Sequence, residues 1–364
     1  MVLQTRFVNN LWYGAVWSQT LGKKPVARRI LDKPIVLFRG HNGAPAALED
    51  ACPHRFVPLS KGQVSDDGRL RCGYHGLEFN ASGACVRNPH TSGRIPPAAK
   101  VRSYPVIERH KMVWIWMGDR TPDPDLIPDF SQLDVADPKL TSDLGCLEID
   151  ANYTFMVENL LDLSHTGVLH DGLLGNAEAL RANLKVHEDE AGNLTVSRDT
   201  FDIPAPRLLD LLYRNDGRRI DTWSDIKLMG VSCLSNSVGI NEARQGRSEA
   251  ATGLLGFHLL TPIAARKTLY QFCAVRINPP NRSPEEDAVI RQQLSELRTI
   301  AFAEQDGPMI KAQQHAYDDA AIDTSRPALF DVDLAASRFQ RRIRELLATE
   351  AGASNSGDDP LRSG

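Results

Sequence analysis

The hydrophobic pattern changes character near residue 120. Before it, short strand-like runs alternate with turn signals. Ile35-Val36-Leu37-Phe38, Ala46-Ala47-Leu48-Glu49 and Val113-Trp114-Ile115-Trp116 are separated by Gly40-His41-Asn42-Gly43, Asp66-Asp67-Gly68 and Ala81-Ser82-Gly83. This predicts a small all-β domain over 1–120. The polar, proline-rich run Asp119-Arg120-Thr121-Pro122-Asp123-Pro124-Asp125 suits a linker. Beyond it, 152–165, 284–317 and 334–349 read as helices, and 223–241 and 254–277 as strands, so a second domain mixing helices with a sheet is expected over 121–350. Ser283-Pro284-Glu285-Glu286 carries a helix start: a capping serine, proline at the first position and acids in the first turn. The Ser-, Gly- and Asp-rich stretch 351–364 is expected to be a disordered tail.

Composition narrows the class. A chain of 364 residues exceeds the usual single core, which agrees with two domains. With 42% hydrophobic and 24% charged residues it reads as an ordinary soluble protein. A net charge of -4 gives no electrostatic footprint for nucleic acid or an anionic membrane. No apolar run approaches a membrane span, and the first twenty residues have neither a basic head nor a signal-peptide core, so a cytoplasmic enzyme is expected. Six cysteines are too few for a disulfide scaffold, and Cys85, Cys146, Cys233 and Cys273 read as buried small residues.

The remaining two cysteines carry chemistry. Cys52-Pro53-His54 and Cys72-Gly73-Tyr74-His75 each pair one thiol with one imidazole, and seventeen residues, 55–71, lie between them. Two thiolates and two imidazoles suit tetrahedral zinc or a two-iron cluster, and ligand count alone does not decide. The order favours the cluster, because one iron can take both thiolates and the other both imidazoles, the Rieske arrangement. A zinc finger would instead group its cysteines apart from its histidines. A second constellation lies in 159–170, where Asn159, Asp162, His165 and His170 punctuate an apolar run. On a regular helix Asn159, Asp162 and His165 share a face, but His170 would be turned by roughly 140 degrees from His165. The two imidazoles can share a metal only if the helix loosens between them, and Gly167 is the expected break.

Cys52-Pro53-His54-Arg55, Pro58-Leu59-Ser60 and Cys72-Gly73-Tyr74-His75-Gly76 resemble the cluster loops of the Rieske non-haem iron aromatic-ring oxygenases. Leu77, where many members have tryptophan, resembles the vanillate O-demethylase branch, and so do the segments 221–226, 231–236 and 258–262, which are similar to dicamba demethylase segments. The resemblance implies an α+β architecture: an N-terminal all-β Rieske [2Fe-2S] domain and a C-terminal helix-grip catalytic domain of antiparallel sheet and helices. It implies a cluster held by Cys52, His54, Cys72 and His75, and a mononuclear Fe(II) held by His165, His170 and Asp306. Glu304 competes with Asp306, but two positions apart on a helix only one can face the iron, and the resemblance selects Asp306. Asp162 is expected to accept a ligand histidine's N-H and to bridge to His75 of the partner subunit in a head-to-tail homotrimer. Asn159 matches a family position near the iron, and Asn236 and His258 match substrate contacts.

The implied reaction is monooxygenation: O2 and electrons from a separate flavin- or ferredoxin-type reductase hydroxylate or demethylate a methoxy- or methyl-substituted aromatic acid. No Gly-x-Gly-x-x-Gly fingerprint is present, so NAD(P)H oxidation is expected in that separate protein. Ring dihydroxylation and a Rieske electron-transfer protein without oxygenase activity are the alternative readings.

Overall fold

The computed structural model describes residues 6–355, with side chains through Gly352. The described residues divide into two compact units: Asn9–Asp134 with Thr261–Ala265, and residues 6–8 and 266–355 with Val135–Leu260. The break falls at Asp134/Val135 and not at 120/121, because hydrogen bonds tie the proline-rich run to the first unit. Trp12 Nε1 donates to the Asp123 carbonyl at 2.7 Å, and His110 Nδ1 lies 2.7 Å from the Asp134 carboxylate.

The first unit is built from three small antiparallel sheets. Leu11–Trp17 pairs with Met112–Met117, which pairs with Val106–Arg109. Val26–Ile30, Lys33–Arg39, Pro45–Glu49 and Ser103–Tyr104 form the second sheet in that order. Met112–Met117 is buried at all six positions, so its sequence is continuously apolar and lacks alternation. The third sheet contains Gln63–Val64, Leu70–Arg71, Glu78–Phe79 and Cys85–Arg87, strands too short to stand without packing. Leu59, Leu70 and Phe79 bury their side chains against Val36, Phe38 and Leu48, and Cys52 and Cys72 belong to the same core.

The second unit is organised on a seven-stranded sheet. Its order is Gly145–Ile149, Lys267–Ile277, Thr252–Ala264, Cys233–Glu242, Arg219–Met229, Leu194–Pro204 and Leu184–Glu188. The strand-forming stretches 223–241 and 254–277 are each a hairpin; Gly230, at φ 64, makes the first turn. Cys146 is exposed on the Gly145–Ile149 strand, against the expectation of burial, whereas Cys85, Cys233 and Cys273 are buried.

The helices follow Tyr153–Leu161, Pro284–Thr299, Gly307–Asp318 and Leu334–Asn355. Ser283 and Glu286 form a reciprocal capping box, as the sequence predicts. The continuous helix expected over 284–317 is interrupted by a π-helical turn at Ile300–Asp306. Pro308 follows at the start of the next helix and has no N-H to return to the preceding turn, which favours the irregularity there. The last helix runs to Asn355, into the stretch expected as a tail, and 356–364 lie outside the described residues. Among the described residues, no helix is long and apolar enough to cross a membrane.

Candidate metal centres

The two Cys/His loops of the first unit repeat one hydrogen-bond pattern. Cys52 N-H donates to the Val57 carbonyl at 2.9 Å and Phe56 N-H to the Cys52 carbonyl at 2.7 Å. In the second loop Cys72 N-H donates to Leu77 at 2.8 Å and Gly76 N-H to Cys72 at 3.1 Å. The fourth residue after each cysteine needs a left-handed backbone: Gly76 supplies it at φ 73, and Phe56 adopts it at φ 58 while 77% exposed. The loops thus present one cysteine and one histidine each in equivalent places.

Cys52 and Cys72 are buried, and the His54 and His75 rings lie 4.5 Å apart. Burial pushes the Cys52 thiol up to about 11; the adjacent Cys72 acts in the same direction, against main-chain hydrogen bonds at His54 and Arg55. Such facing thiols ionise only with a positive partner, which a metal centre provides. A thiol pair beside an imidazole pair fits the two unlike irons of a Rieske cluster. Partial burial, with His54 and His90 nearby, holds His75 below the usual histidine value, and His90 Nε2 contacts the His75 carbonyl at 2.9 Å. Tyr74 is 62% exposed, with its ring centroid 3.8 Å from that of His75.

In the second unit the structure brings His165, His170 and Asp306 together, with one ligand atom from each within 4.8 Å of the others. Asp306 Oδ1 lies 3.2 Å from His170 Nε2 and 3.6 Å from His165 Nε2. Ligands about 2.1 Å from one ion on one face stand roughly 3 Å apart, so the spacing fits a two-histidine, one-carboxylate site with open positions. Asp306 is 2% exposed at the end of the π turn, whereas Glu304 points outward.

The helix ends earlier than expected, at Leu161 and not at Gly167. Asp162 ends it through a local turn: its Oδ1 accepts from Ser164 N-H at 2.7 Å and from the Ser164 hydroxyl. His165 then opens a short 3-10 turn, His165–Gly167, and Asp162 is no longer on a helix face with it. The group receiving His165 Nδ1-H is the Asp162 main-chain carbonyl; the carboxylate is 3.9 Å from that nitrogen. The expected carboxylate contact to His165 is therefore replaced by a backbone one. On the other ligand, His170 Nδ1 donates to Gln305 Oε1 at 2.7 Å. Both imidazoles are thereby fixed with Nε2 toward Asp306.

Asn159 donates from Nδ2 to Asp306 Oδ1 at 3.1 Å, which places it beside the carboxylate and not on the solvent face. Burial lowers the His165 pKa against the charges of Asp306 and Asp162. For His170 burial opposes protonation, but the hydrogen bond and charge of Asp306, with Gln305, outweigh it and raise the pKa. Cation binding here would displace a proton.

His165, His170 and Asp306 line an apolar pocket with about 1000 Å³ of empty space, its mouth included. Its sheet wall holds the two expected substrate contacts. Asn236 pairs with Ile226 and Gly256 across the sheet, and its buried Oδ1 has no hydrogen-bond partner. His258 Nδ1 lies 2.6 Å from the Tyr270 hydroxyl; burial, reinforced by the Arg298 charge, keeps this imidazole neutral. Three residues here escaped the sequence reading. Gln305 orients His170, and Arg198 Nη1 braces the ligand loop through the Leu163 carbonyl and Thr166 Oγ1. Arg298 is a third wall residue. Only Gln305 had a signal, its place beside Asp306.

Comparison with known proteins agrees with this geometry. Residues 12–105 match the Rieske [2Fe-2S] domain, and 149–349 match the vanillate O-demethylase oxygenase C-terminal domain. The oxygenase component of dicamba O-demethylase from Stenotrophomonas maltophilia is 36% identical, over 95% of this chain and 99% of the relative. A putative toluene-4-sulfonate monooxygenase iron-sulfur subunit from Comamonas testosteroni is 34% identical, over 95% and 99%. The crystal structure of dicamba monooxygenase with non-haem iron and dicamba superposes with a TM-score of 0.77 at 34% identity, covering 95% of this chain and 99% of that one.

Proposed function

The chain belongs to the Rieske non-haem iron oxygenases of the vanillate O-demethylase type, and from that premise we propose that it hydroxylates or demethylates a methoxy- or methyl-substituted aromatic acid as the terminal oxygenase of a multicomponent system. The observation that carries this reading is the convergence of His165, His170 and Asp306 on an apolar pocket large enough for a substituted benzene ring. A closed structural metal site would need neither the pocket nor the open side.

The residues divide the work. Cys52, His54, Cys72 and His75 would hold the cluster, and His165, His170 and Asp306 would hold the iron. With both in place, the iron centres supply one-electron transfer and O2 activation, so that one oxygen atom enters a C-H bond and the other leaves as water. Gln305 and the Asp162 carbonyl keep the two imidazoles in the tautomers that free Nε2. Asn159 holds the Asp306 carboxylate by Oδ1 and limits its rotation. Asn236 and His258 orient the ring from the sheet wall, and the apolar lining excludes water. The Asp162 side chain is 35% exposed and its Oδ1 is taken by Ser164, so Oδ2 is the oxygen left to accept an N-H from His75 of the partner subunit in a head-to-tail trimer. A reductase oxidising NAD(P)H in the cytoplasm supplies two electrons per turnover. Attack on a methoxy carbon gives a hemiacetal that releases formaldehyde; attack on a ring methyl stops at the alcohol.

Iron and acid-labile sulfide per chain, followed by formaldehyde and alcohol assays on methoxy- and methylbenzoates with a reductase, test the reading. We expect about three iron and two sulfide, and loss of one iron in Asp306→Ala with the cluster spared. Zinc without sulfide, or full iron in Asp306→Ala, would refute it.

A further inference from the structure

Arg298 sits on the Pro284–Thr299 helix, is 4% exposed and lines the same pocket. Its surroundings are aromatic: the guanidinium carbon is 5.1 Å from the Phe272 ring centroid and 5.5 Å from that of Phe302. Phe302 in turn packs edge-on against His258 and Tyr270, at 5.7 and 5.2 Å between centroids. A guanidinium carries five N-H donors, and the polar contact here is a long one, 3.4 Å from Nη1 to Ser142 Oγ. No carboxylate pairs with it among the described residues. The fold treats Arg276, equally buried, differently: its Nη2 reaches the Asp287 carboxylate at 2.7 Å.

A buried cation without a counter-ion is costly unless an anion completes it. The apolar cage strengthens any such pairing, because little solvent competes with it. Asn236, with a buried Oδ1 lacking a partner, is an acceptor that calls for a donor on the ligand and so does not compete with Arg298 for an anion. His258 is held neutral and does not supply the missing charge. The other buried ionic groups of the pocket are already engaged, Asp306 by Asn159, His165 and His170, and Arg198 by the Leu163 carbonyl and Thr166 Oγ1.

We propose that Arg298 is a specificity-determining residue that pairs with the acid group of the substrate inside the pocket, so that the enzyme selects singly charged aromatic anions, carboxylates or sulfonates, over uncharged arenes of the same shape. The proposal rests on the oxygenase reading for the identity of the pocket and extends it by naming the charge that the pocket reads. The planar fork of the guanidinium matches a carboxylate with two parallel hydrogen bonds.

The test is binding, measured by calorimetry on iron-replete protein without reductase. The probes are 4-methoxybenzoate, 4-methylbenzoate and 4-methylbenzenesulfonate, each against its uncharged carboxamide or sulfonamide. Wild type is expected to bind the anions more tightly by on the order of 10- to 100-fold, the range for a hydrogen bond to a charged group. R298Q should remove that preference while keeping iron, sulfide and amide binding, and R298K, which keeps the charge but not the fork, should restore part of it. Equal binding of anion and amide by wild type, no binding of either across the panel, or an unchanged preference in R298Q would overturn the proposal. Oxygen consumption with reductase on the same panel tests the oxygenase reading separately, so the two can fail independently.

Discussion

Glu158 makes the stability of the second unit depend on pH in a calculable way. It lies on the Tyr153–Leu161 helix beside Asn159, and its Oε1 accepts from Gln340 Nε2 of the last helix at 2.9 Å. Burial pushes its carboxyl up to about 7; the Gln340 hydrogen bond opposes this and the Asp333 charge adds to it. Below an ordinary glutamate value of about 4.5 the group is protonated in both folded and unfolded chains and adds no pH dependence. Between about 4.5 and 7 the unfolded chain releases the proton while the folded one keeps it, so stability falls as pH rises. Above about 7 both forms are ionised and the loss stays constant. A rise from 4.5 to about 7 is equivalent to about 3 kcal/mol. Glu158 is partly exposed, and solvent screening reduces the expected loss to about 1–3 kcal/mol. Glu158→Gln is isosteric and retains an acceptor for Gln340, so it removes only the ionisation. Thermal or urea unfolding of iron-loaded wild type and variant at pH 5 and pH 8 isolates the effect, since other groups titrate alike in both. The variant should gain over wild type by about 1–3 kcal/mol at pH 8 and by much less at pH 5. A gain of the same size at both pH values, or a variant weaker at pH 8, would show that Glu158 is not a protonated buried acid.

Gln305→Leu leaves all three candidate ligands but frees His170 Nδ1, so metal affinity measured by chelator competition should fall by about 10- to 100-fold; unchanged affinity would mean that the hydrogen bond does not set the tautomer. Asp162→Asn keeps the carbonyl that holds His165, so both metals should stay bound while product formation per NADH collapses; wild-type coupling would exclude the carboxylate bridge. Gly239 lies directly opposite Trp223 in the sheet, and a Cβ there would come within 1.9 Å of the indole. Gly239→Ala should therefore drive Trp223, a pocket residue, off its seat, costing about 1–3 kcal/mol of stability and weakening substrate binding; a neutral outcome in both unfolding and KM would refute this packing.

The two metal constellations differ in how far the sequence could carry them, and the reason is range. The Cys/His loops are local objects: each ligand pair lies within four residues, and the turn that presents it is closed by hydrogen bonds between the cysteine and residues four and five further on. Residue type and offset therefore suffice, and the helix start at Ser283 is legible for the same reason. The iron site depends on phase. Whether Glu304 or Asp306 faces inward is set by the π turn at 300–306, whose extra residue rotates everything after it, and the pattern over 284–317 shows only a long helix. The loosening between His165 and His170 was expected at Gly167, yet Asp162 and Ser164 end the helix first, because a short polar side chain bonding the backbone competes with the next helical turn. That Asp-x-Ser turn was in the sequence; the carbonyl it leaves facing His165 was not. Arg298 lies farthest from local reading. On a helix rich in Arg, Glu and Gln it looks like a solvent-facing charge, and only the packing of Phe272 and Phe302, one on the sheet and one on the π turn, buries it. The features that position ligands are thus written within a few residues, whereas those that select what enters the pocket arise where distant segments meet.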